Sequence, residues 1–184
     1  MSLQREEKHL PILIAFCFIA NFILGGIGQA FPMDSFERIF SWQWAALAFM
    51  AGTSLYAAKL HTNKWHISSA GFILLSIGQG ILYTMVNMKS SEEEAQSLFA
   101  AGVMAFFPGM LFLCYYSGFP IWLRILGLTS TFPFLVIMMK IDSHNFDVVK
   151  DEWLSIVGFV MLQMTGLLWG YFALRPHRET TVQK

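Results

Sequence analysis

The chain has 184 residues, of which 55% are hydrophobic and only 13% are charged, and its mean hydropathy is +0.53. A soluble domain carries roughly a quarter charged residues, so the composition excludes an ordinary water-soluble globular protein. Twelve Lys and Arg residues balance twelve Asp and Glu residues. Without a basic excess, the chain has no surface suited to nucleic acid.

The first long apolar stretch runs from Leu10 to Phe31 and contains no charged residue. About twenty apolar residues in a helix match the roughly 30 Å hydrocarbon core of a bilayer, in which only helices and closed barrels satisfy their backbone groups. Five similar stretches follow. We therefore predict an all-α polytopic integral membrane protein, a six-transmembrane-helix bundle forming a single transmembrane domain over 1–184, with spans at about 10–31, 42–60, 65–86, 95–117, 120–140 and 153–174.

Local signals refine these boundaries. Segment 31–40 has the spacing of a short amphipathic helix on the membrane surface, although a plain loop fits it equally well. The fourth and fifth spans are divided by Gly118 and Pro120 alone. Pro108 and Pro133 interrupt these two spans and permit a kink in each.

The distribution of charge in the connections predicts the orientation. Eight Lys and Arg residues and three acids fall on the side of both termini, whereas four Lys and Arg residues and nine acids fall on the other side. Because Lys and Arg are retained on the cytoplasmic side, we predict that both termini are cytoplasmic and that the protein lies in the plasma (inner) membrane. An even number of spans requires the same arrangement.

Tryptophans stand near the predicted interfaces, where amphipathic rings prefer to lie. We expect them to act as interfacial anchors; they are Trp42, Trp44, Trp65, Trp122 and Trp153.

Small residues four apart favour close packing of helices in lipid. Three such pairs predict tight helix contacts: Ala48 with Gly52, Ser76 with Gly80, and Gly166 with Gly170.

Segment 20–29 recurs fifty residues later as segment 70–79, with seven of ten positions identical. Both copies end in Ile-Gly-Gln, at Gln29 and Gln79. The match indicates either a duplicated helical hairpin or a coincidence among the few residue types that membrane helices use.

No Asp, Glu, Lys or His lies in the middle of a predicted span, which argues against a carboxylate proton relay or cation pathway. The remaining polar residues are neutral, apart from one arginine near the cytoplasmic edge. They could bind a ligand or could simply form hydrogen bonds between helices. The candidate ligand-binding residues are Asn21, Gln29, Gln79, Arg124, Thr129, Ser130 and Gln163.

Arg124 has two interpretations. Its guanidinium could reach the lipid headgroups along its flexible stem, or it could form an anion or lipid-phosphate site.

The histidines His9, His61, His66 and His177 map to the predicted cytoplasmic edge. They are weak candidates for binding a metal or haem, since none is deep enough to hold a haem within the membrane. We predict no metal and no cofactor. Motifs of metalloproteases, serine hydrolases and phosphate-binding loops are missing from the sequence, so an enzyme is not indicated.

These features predict a multi-pass membrane protein that binds or transports a neutral or lipophilic small molecule. Its partners would be the lipid bilayer, such a ligand, and other membrane subunits or a second copy. One alternative is an accessory or structural subunit of a larger membrane complex. A weaker alternative is a membrane haem or redox protein that uses the cytoplasmic-edge histidines.

Overall fold

The computed structural model describes residues 3–32, 35–87, 92–143 and 152–175, and all regular structure within these ranges is helical. The ranges contain α1 (Leu3–Gln29), α2 (Phe36–Thr62), α3 (His66–Asn87), α4 (Glu92–Met104), α5 (Phe106–Leu113), α6 (Ile121–Thr129), α7 (Phe132–Asp142) and α8 (Glu152–Leu174). The predicted all-α class is confirmed.

Five helical segments in the described ranges are long and apolar enough to cross a membrane, which indicates an integral membrane protein. They are His9–Gln29, His66–Met85, Glu94–Leu113, Ile121–Asp142 and Trp153–Leu174. The third combines α4 with α5, and the fourth combines α6 with α7. Helix α2 has 27 residues, enough to cross, but it is less apolar because polar residues such as Gln43, Thr53 and Lys59 interrupt it.

Neighbouring segments run antiparallel. Contacts pair early residues of one segment with late residues of the other. Between α1 and α2 they are Leu24 with Ser41 and Asn21 with Ala45, and between α2 and α3 they are Ser54 with Ser76 and Ala57 with Ser69. Between α3 and the α4–α5 segment they are Gly71 with Gly109 and Gly78 with Gly102, between the α6–α7 segment and α8 they are Trp122 with Phe172 and Phe134 with Gly158, and between α1 and α8 Ala15 meets Gly170. The beginning of α1 and the end of α8 therefore lie at the same end of the bundle.

We call this end, which carries Leu10, Lys59 and Arg175, the basal end; the apical end carries Gln29 and Met85. At the basal end, Lys59 Nζ joins α2 to α8 by donating a hydrogen bond to Ala173 O at 2.8 Å. The positive charge of the Lys59 ammonium is also stabilised by the negative end of the α8 helix dipole.

Both predicted proline interruptions coincide with helix breaks. Helix α4 ends at Met104, four residues before Pro108, and α6 ends at Thr129, four residues before Pro133. A proline lacks the N–H that would bond the carbonyl four residues earlier, and its ring clashes with that carbonyl. The break therefore forms one turn before each proline.

The predicted surface helix at 31–40 is not a separate element. Residues 36–40 form the first turn of α2, and Ser35 Oγ caps that turn by accepting from Arg38 N at 3.2 Å. A side-chain oxygen at this position satisfies a backbone donor that the helix leaves free, so α2 starts six residues before the predicted boundary at 42.

The three predicted small-residue pairs all lie at helix contacts. A Cβ at Gly170 would lie 3.2 Å from Ala15 Cα, and one at Gly52 would lie 3.1 Å from Cys17 Cβ. Ser76 Oγ and Ser54 Oγ are 3.1 Å apart between α2 and α3.

A further glycine contact joins α3 to the α4–α5 segment. A Cβ at Gly71 would lie 2.7 Å from Gly109 O, and a Cβ at Gly78 would lie 2.5 Å from Gly102 O. Both pairs are seven residues apart on antiparallel helices, so the two backbones touch at two levels. This seven-residue spacing differs from the four-residue spacing of the small-residue pairs predicted from the sequence.

Aromatic rings fill the basal half of the bundle. Trp169 packs edge-on against Phe72 at 5.0 Å and Phe18 at 5.8 Å, while Phe72 stacks on Tyr56 at 4.6 Å. These four side chains are at most 2% exposed. The basal half is thus solidly packed.

Candidate ligand cavity

A cavity of about 110 Å³ lies in the apical half of the bundle, between α1, α2, α3, α4 and α8. Its lining residues are Asn21, Gln29, Trp42, Gln43, Ala45, Ala46, Phe49, Gln79, Leu82, Tyr83, Met85, Phe99, Phe159, Leu162 and Gln163. The residues nearest the apical end, including Gln29 and Met85, are half-buried. The cavity therefore extends toward the apical end, while Phe49 lies at its basal side and packs on Phe18 at 6.0 Å.

Four of the seven predicted ligand-binding residues line this cavity. They are Asn21 and Gln29 on α1, Gln79 on α3 and Gln163 on α8. Together with Gln43 on α2 they place five carboxamides around one space. None of the described residues that line it is charged.

Asn21 is the most deeply buried of these amides, at 5% exposure. Its Nδ2 donates to Ala45 O at 2.9 Å, which ties α1 to α2. Its Oδ1 is shielded from solvent and has no hydrogen-bond partner among the described residues. A buried acceptor left without a donor costs about 1–3 kcal/mol.

The glutamines Gln29, Gln79 and Gln163 are half-buried, and none of their side chains forms a hydrogen bond to another described residue. Each carboxamide offers two donors and one acceptor. Their amide atoms are not among the solvent-shielded atoms that lack a partner, so they remain available to a hydrogen-bonding group in the cavity or in solvent.

Two glycines of α1 make room for the cavity wall. A Cβ at Gly25 would overlap the amide of Gln163, and a Cβ at Gly28 would overlap the indole of Trp42. The absence of a side chain at both positions lets these two residues pack directly on the α1 backbone, where they face the cavity.

Arg38 orients Trp42. Its guanidinium lies 4.4 Å above the indole ring and donates from Nη1 to Phe31 O at 3.2 Å. The arginine is buried, at 6% exposure. We expected Trp42 to act as an interfacial anchor, but it lines the cavity, whereas its neighbour Trp44 is 52% exposed as an anchor would be.

The three other predicted residues lie outside the cavity. Arg124 donates from Nε to Phe119 O at 3.0 Å and from Nη1 to Cys114 O at 2.9 Å. Thr129 and Ser130 donate to Leu126 O and Gly127 O within their own segment. These side chains complete the backbone hydrogen bonding of turns and helix ends near the basal end and at the α6–α7 break.

The three described histidines, His9, His61 and His66, do not gather into one cluster. His61 and His66 face each other across the α2–α3 turn, with their Nδ1 atoms 3.2 Å apart. His9 lies on the exposed surface of α1, and His177 is outside the described residues. Within the described ranges, no three His, Cys, Asp or Glu side chains lie close enough together to hold a metal ion.

The repeat places its two copies on α1 and α3, which run parallel on either side of α2. Gln29 and Gln79 end the two copies, and both line the cavity. The glycines before them differ in their contacts: Gly28 lies against Trp42, and Gly78 lies against Gly102.

No family model, curated protein or solved structure matches the chain.

Sequence reasoning missed Trp42, Gln43 and Tyr83 as lining residues. Trp42 and Tyr83 stand near predicted interfaces, where aromatic residues are ordinarily anchors. The available signal was Gln43, a polar residue next to the predicted start of the second span, at the same predicted level as Gln29 and Gln79.

Proposed function

We propose that the protein is a polytopic membrane protein that binds a small neutral molecule in the apical cavity. The observation that carries this proposal is the gathering of Asn21, Gln29, Gln79 and Gln163 around one space, in which the three glutamine amides bond to no described residue. Carboxamides that face a largely apolar cavity gain free energy from a hydrogen-bonding partner, and a ligand would supply one.

The walls define the class of ligand. Phe49, Phe99 and Phe159 supply aromatic surface, and Leu82 and Leu162 supply aliphatic surface. A charged ligand in such surroundings would lose its hydration without meeting an opposite charge. A neutral molecule with an apolar ring and one or two polar groups matches both the walls and the amides.

The size of the cavity restricts the ligand to a single ring or a short chain. An apolar cavity of about 150 Å³ accommodates benzene, and this cavity is somewhat smaller, at about 110 Å³, with half-buried residues toward the apical end. The aromatic cluster of the basal half, with Trp169 and Phe72 at its centre, fills the bundle below the cavity. This supports binding from one side rather than passage through the bundle.

The proposed topology has six spans, with α2 crossing between the parallel helices α1 and α3. The basal end carries Lys59, Lys64 and Arg175, and by the positive-inside rule we assign it to the cytoplasmic side. The cavity then opens toward the outside of the plasma membrane.

The test uses fluorobenzene as a neutral probe and the full chain in lipid nanodiscs. Bound fluorobenzene should give a ¹⁹F signal distinct from that of the probe dissolved in lipid, and the signal should saturate. Ala46→Leu would extend a side chain from the cavity wall and should abolish the bound signal. Ala51→Leu makes the same change on the exposed side of α2 and should leave it intact.

Two results would refute the proposal. One is the absence of any saturable signal in the unmodified protein. The other is a bound signal that survives Ala46→Leu while this variant retains the helical content and unfolding temperature of the Ala51→Leu control.

A further inference from the structure

We propose that His61 and His66 form a two-ligand site for a late first-row divalent metal ion, at the turn between α2 and α3, and that the site binds Cu²⁺ most tightly. The observation that carries the proposal is the position of their Nδ1 atoms, which lie 3.2 Å apart. The site is at the basal end, away from the apical cavity, and it does not depend on the function proposed above.

The separation of the two nitrogens matches the spacing of two ligands on one ion. Imidazole nitrogens bind Zn²⁺ at about 2.0–2.1 Å, so two of them on one ion lie about 2.8–3.4 Å apart at square-planar or tetrahedral angles. The Nδ1 atoms of His61 and His66, at 3.2 Å, fall within this range. Their rings are inclined by 68°, with centroids 4.8 Å apart, so both nitrogens can face one ion without overlap of the rings.

Without a metal ion, the same contact is a hydrogen bond in which one Nδ1 donates and the other accepts. Metal binding replaces this bond. The proton of the donor moves through solvent to Nε2 of the same ring, and both Nδ1 lone pairs then coordinate the ion. Both imidazoles stay neutral, and small rotations of these two exposed side chains direct their lone pairs at the ion instead of at each other.

The backbone of the turn is ordered by its own contacts. Trp65 N donates to Leu60 O at 2.9 Å, and Lys64 N donates to His61 O at 3.0 Å, with Lys64 in the left-handed conformation at a φ of 63°. Leu60 is fully buried, and Trp65 packs edge-on against Tyr116 at 5.3 Å. The backbone at both histidines is therefore fixed before an ion binds, which reduces the entropic cost of binding.

The ligand set restricts the class of ion. Residues 59–66 contain no Asp or Glu, so hard ions such as Ca²⁺ and Mg²⁺, which prefer carboxylate oxygens, find none in this turn. Imidazole nitrogens suit Cu²⁺, Ni²⁺ and Zn²⁺, and Cu²⁺ forms the most stable complexes of the three. The positive charge of Lys64 in the same turn also disfavours ions that bind through charge alone. Water would complete the coordination.

The experiment titrates Cu²⁺ into the full chain in phosphatidylcholine nanodiscs by calorimetry, with glycine as a competing chelator that suppresses weaker sites. We expect one tight site per chain. His61→Ala and His66→Ala each leave a single imidazole and remove the gain from joining two ligands, so the dissociation constant should rise about a hundredfold in each. The double variant should bind only slightly more weakly than either single variant, because the two ligands act as a unit.

His9→Ala is the matched control, since His9 is also an exposed histidine and lies on α1 near the basal end. It should leave the tight site unchanged. Electron paramagnetic resonance of bound Cu²⁺ should show two imidazole nitrogens in the unmodified chain and in His9→Ala, and one in each single variant of the pair. If an alanine variant of the pair loses helical content, His61→Gln and His66→Gln serve instead and are judged by the same loss of affinity.

Three results would overturn the proposal. The absence of tight Cu²⁺ binding in the unmodified chain would show that His61 and His66 form a hydrogen bond and no metal site. Unchanged affinity in His61→Ala, or an equal loss of affinity in His9→Ala, would place the bound ion elsewhere. None of these results bears on neutral molecules in the apical cavity, which the fluorobenzene titration tests separately.

Discussion

Arg124 is a single charged residue in an apolar segment, and its side chain forms hydrogen bonds to backbone carbonyls. The residue lies on the second turn of α6, and its guanidinium bonds Phe119 O and Cys114 O at 3.0 and 2.9 Å. These carbonyls belong to the end of α5 and the following turn, where helical partners are missing. From the sequence we predicted that Arg124 contacts lipid headgroups or binds an anion. In the structure its guanidinium forms hydrogen bonds to the α5–α6 connection.

Arg124→Gln should therefore lower stability and leave the cavity unchanged. Hydrogen bonds to a charged donor contribute about 1.5–3 kcal/mol, so we expect the free energy of unfolding to fall by about 1–3 kcal/mol because the shorter glutamine replaces at most one bond. Thermal unfolding in nanodiscs measures the loss. Weakened fluorobenzene binding at unchanged stability would instead support a ligand-binding role for Arg124.

Tyr116, in the same connection, gives the protein a dependence on alkaline pH. Burial raises the pKa of Tyr116 to about 12, whereas an exposed tyrosine has a pKa of about 10. The folded state thus favours the neutral phenol. Its contribution is full below pH 10 and is lost as the pH rises from 10 to 12.

Tyr116→Phe should flatten the fall in unfolding temperature between pH 10 and pH 12. The adjacent Tyr115, which is 67% exposed, provides the matched control, since Tyr115→Phe also removes one phenol. Parallel pH profiles of the unmodified chain and Tyr116→Phe would contradict the assignment.

At the scale of elements, glycine pairs fix how closely helices approach. Gly78 and Gly102 bring the backbones of α3 and α4 together, and a Cβ at Gly78 would meet a carbonyl oxygen rather than a movable side chain. Backbone of two packed helices cannot give way locally, so a methyl group there must push the helices apart.

Gly78→Ala should destabilise the protein by about 1–3 kcal/mol, the usual cost of overpacking. Gly26→Ala is the matched control, because nothing lies within 4 Å of a Cβ at that position on α1. It should be neutral or stabilise by up to about 1 kcal/mol, through the better helix propensity of alanine. Equal unfolding temperatures for the two variants would refute the close contact.

Most helices could be predicted from the length of the apolar stretches alone, because the rise per residue of a helix and the thickness of the bilayer core together determine how many residues a span needs. Boundaries were less predictable where polar residues extend a helix beyond the apolar stretch, as Ser35 and Arg38 do at the start of α2. The Gly71–Gly109 contact was missed because its seven-residue spacing lies outside the four-residue motif, and only the antiparallel pairing of two segments reveals it.

For the whole molecule, the two halves of the bundle differ in packing: aromatic rings fill the basal half, and amides surround a cavity in the apical half. The sequence predicted which residues are polar in an apolar setting, hence Asn21 and Gln163. It could not predict that these two residues line the same cavity as Gln29 and Gln79. That depends on how each helix is rotated about its axis and on which helices are neighbours in the bundle. Both are set by contacts such as Gly25 with Gln163.

The topology predicts which connections share a face of the membrane. Single cysteines would be placed at Lys64, Ser117 and Ser143, which are exposed in connections or at helix ends, in a chain whose Cys17 and Cys114 are replaced by alanine. Because neighbouring segments alternate in direction, Lys64→Cys and Ser117→Cys lie at the basal end and Ser143→Cys at the apical end.

In right-side-out membrane vesicles, a membrane-impermeant maleimide should label Ser143→Cys directly and the other two variants only after detergent is added. Ser143→Cys lies at the apical end, so its labelling also reports the side from which the proposed ligand would enter. The reverse pattern would keep six spans and invert the protein, which would place the cavity opening in the cytoplasm. Labelling of Lys64→Cys and Ser143→Cys from one side would rule out the alternating bundle in the membrane.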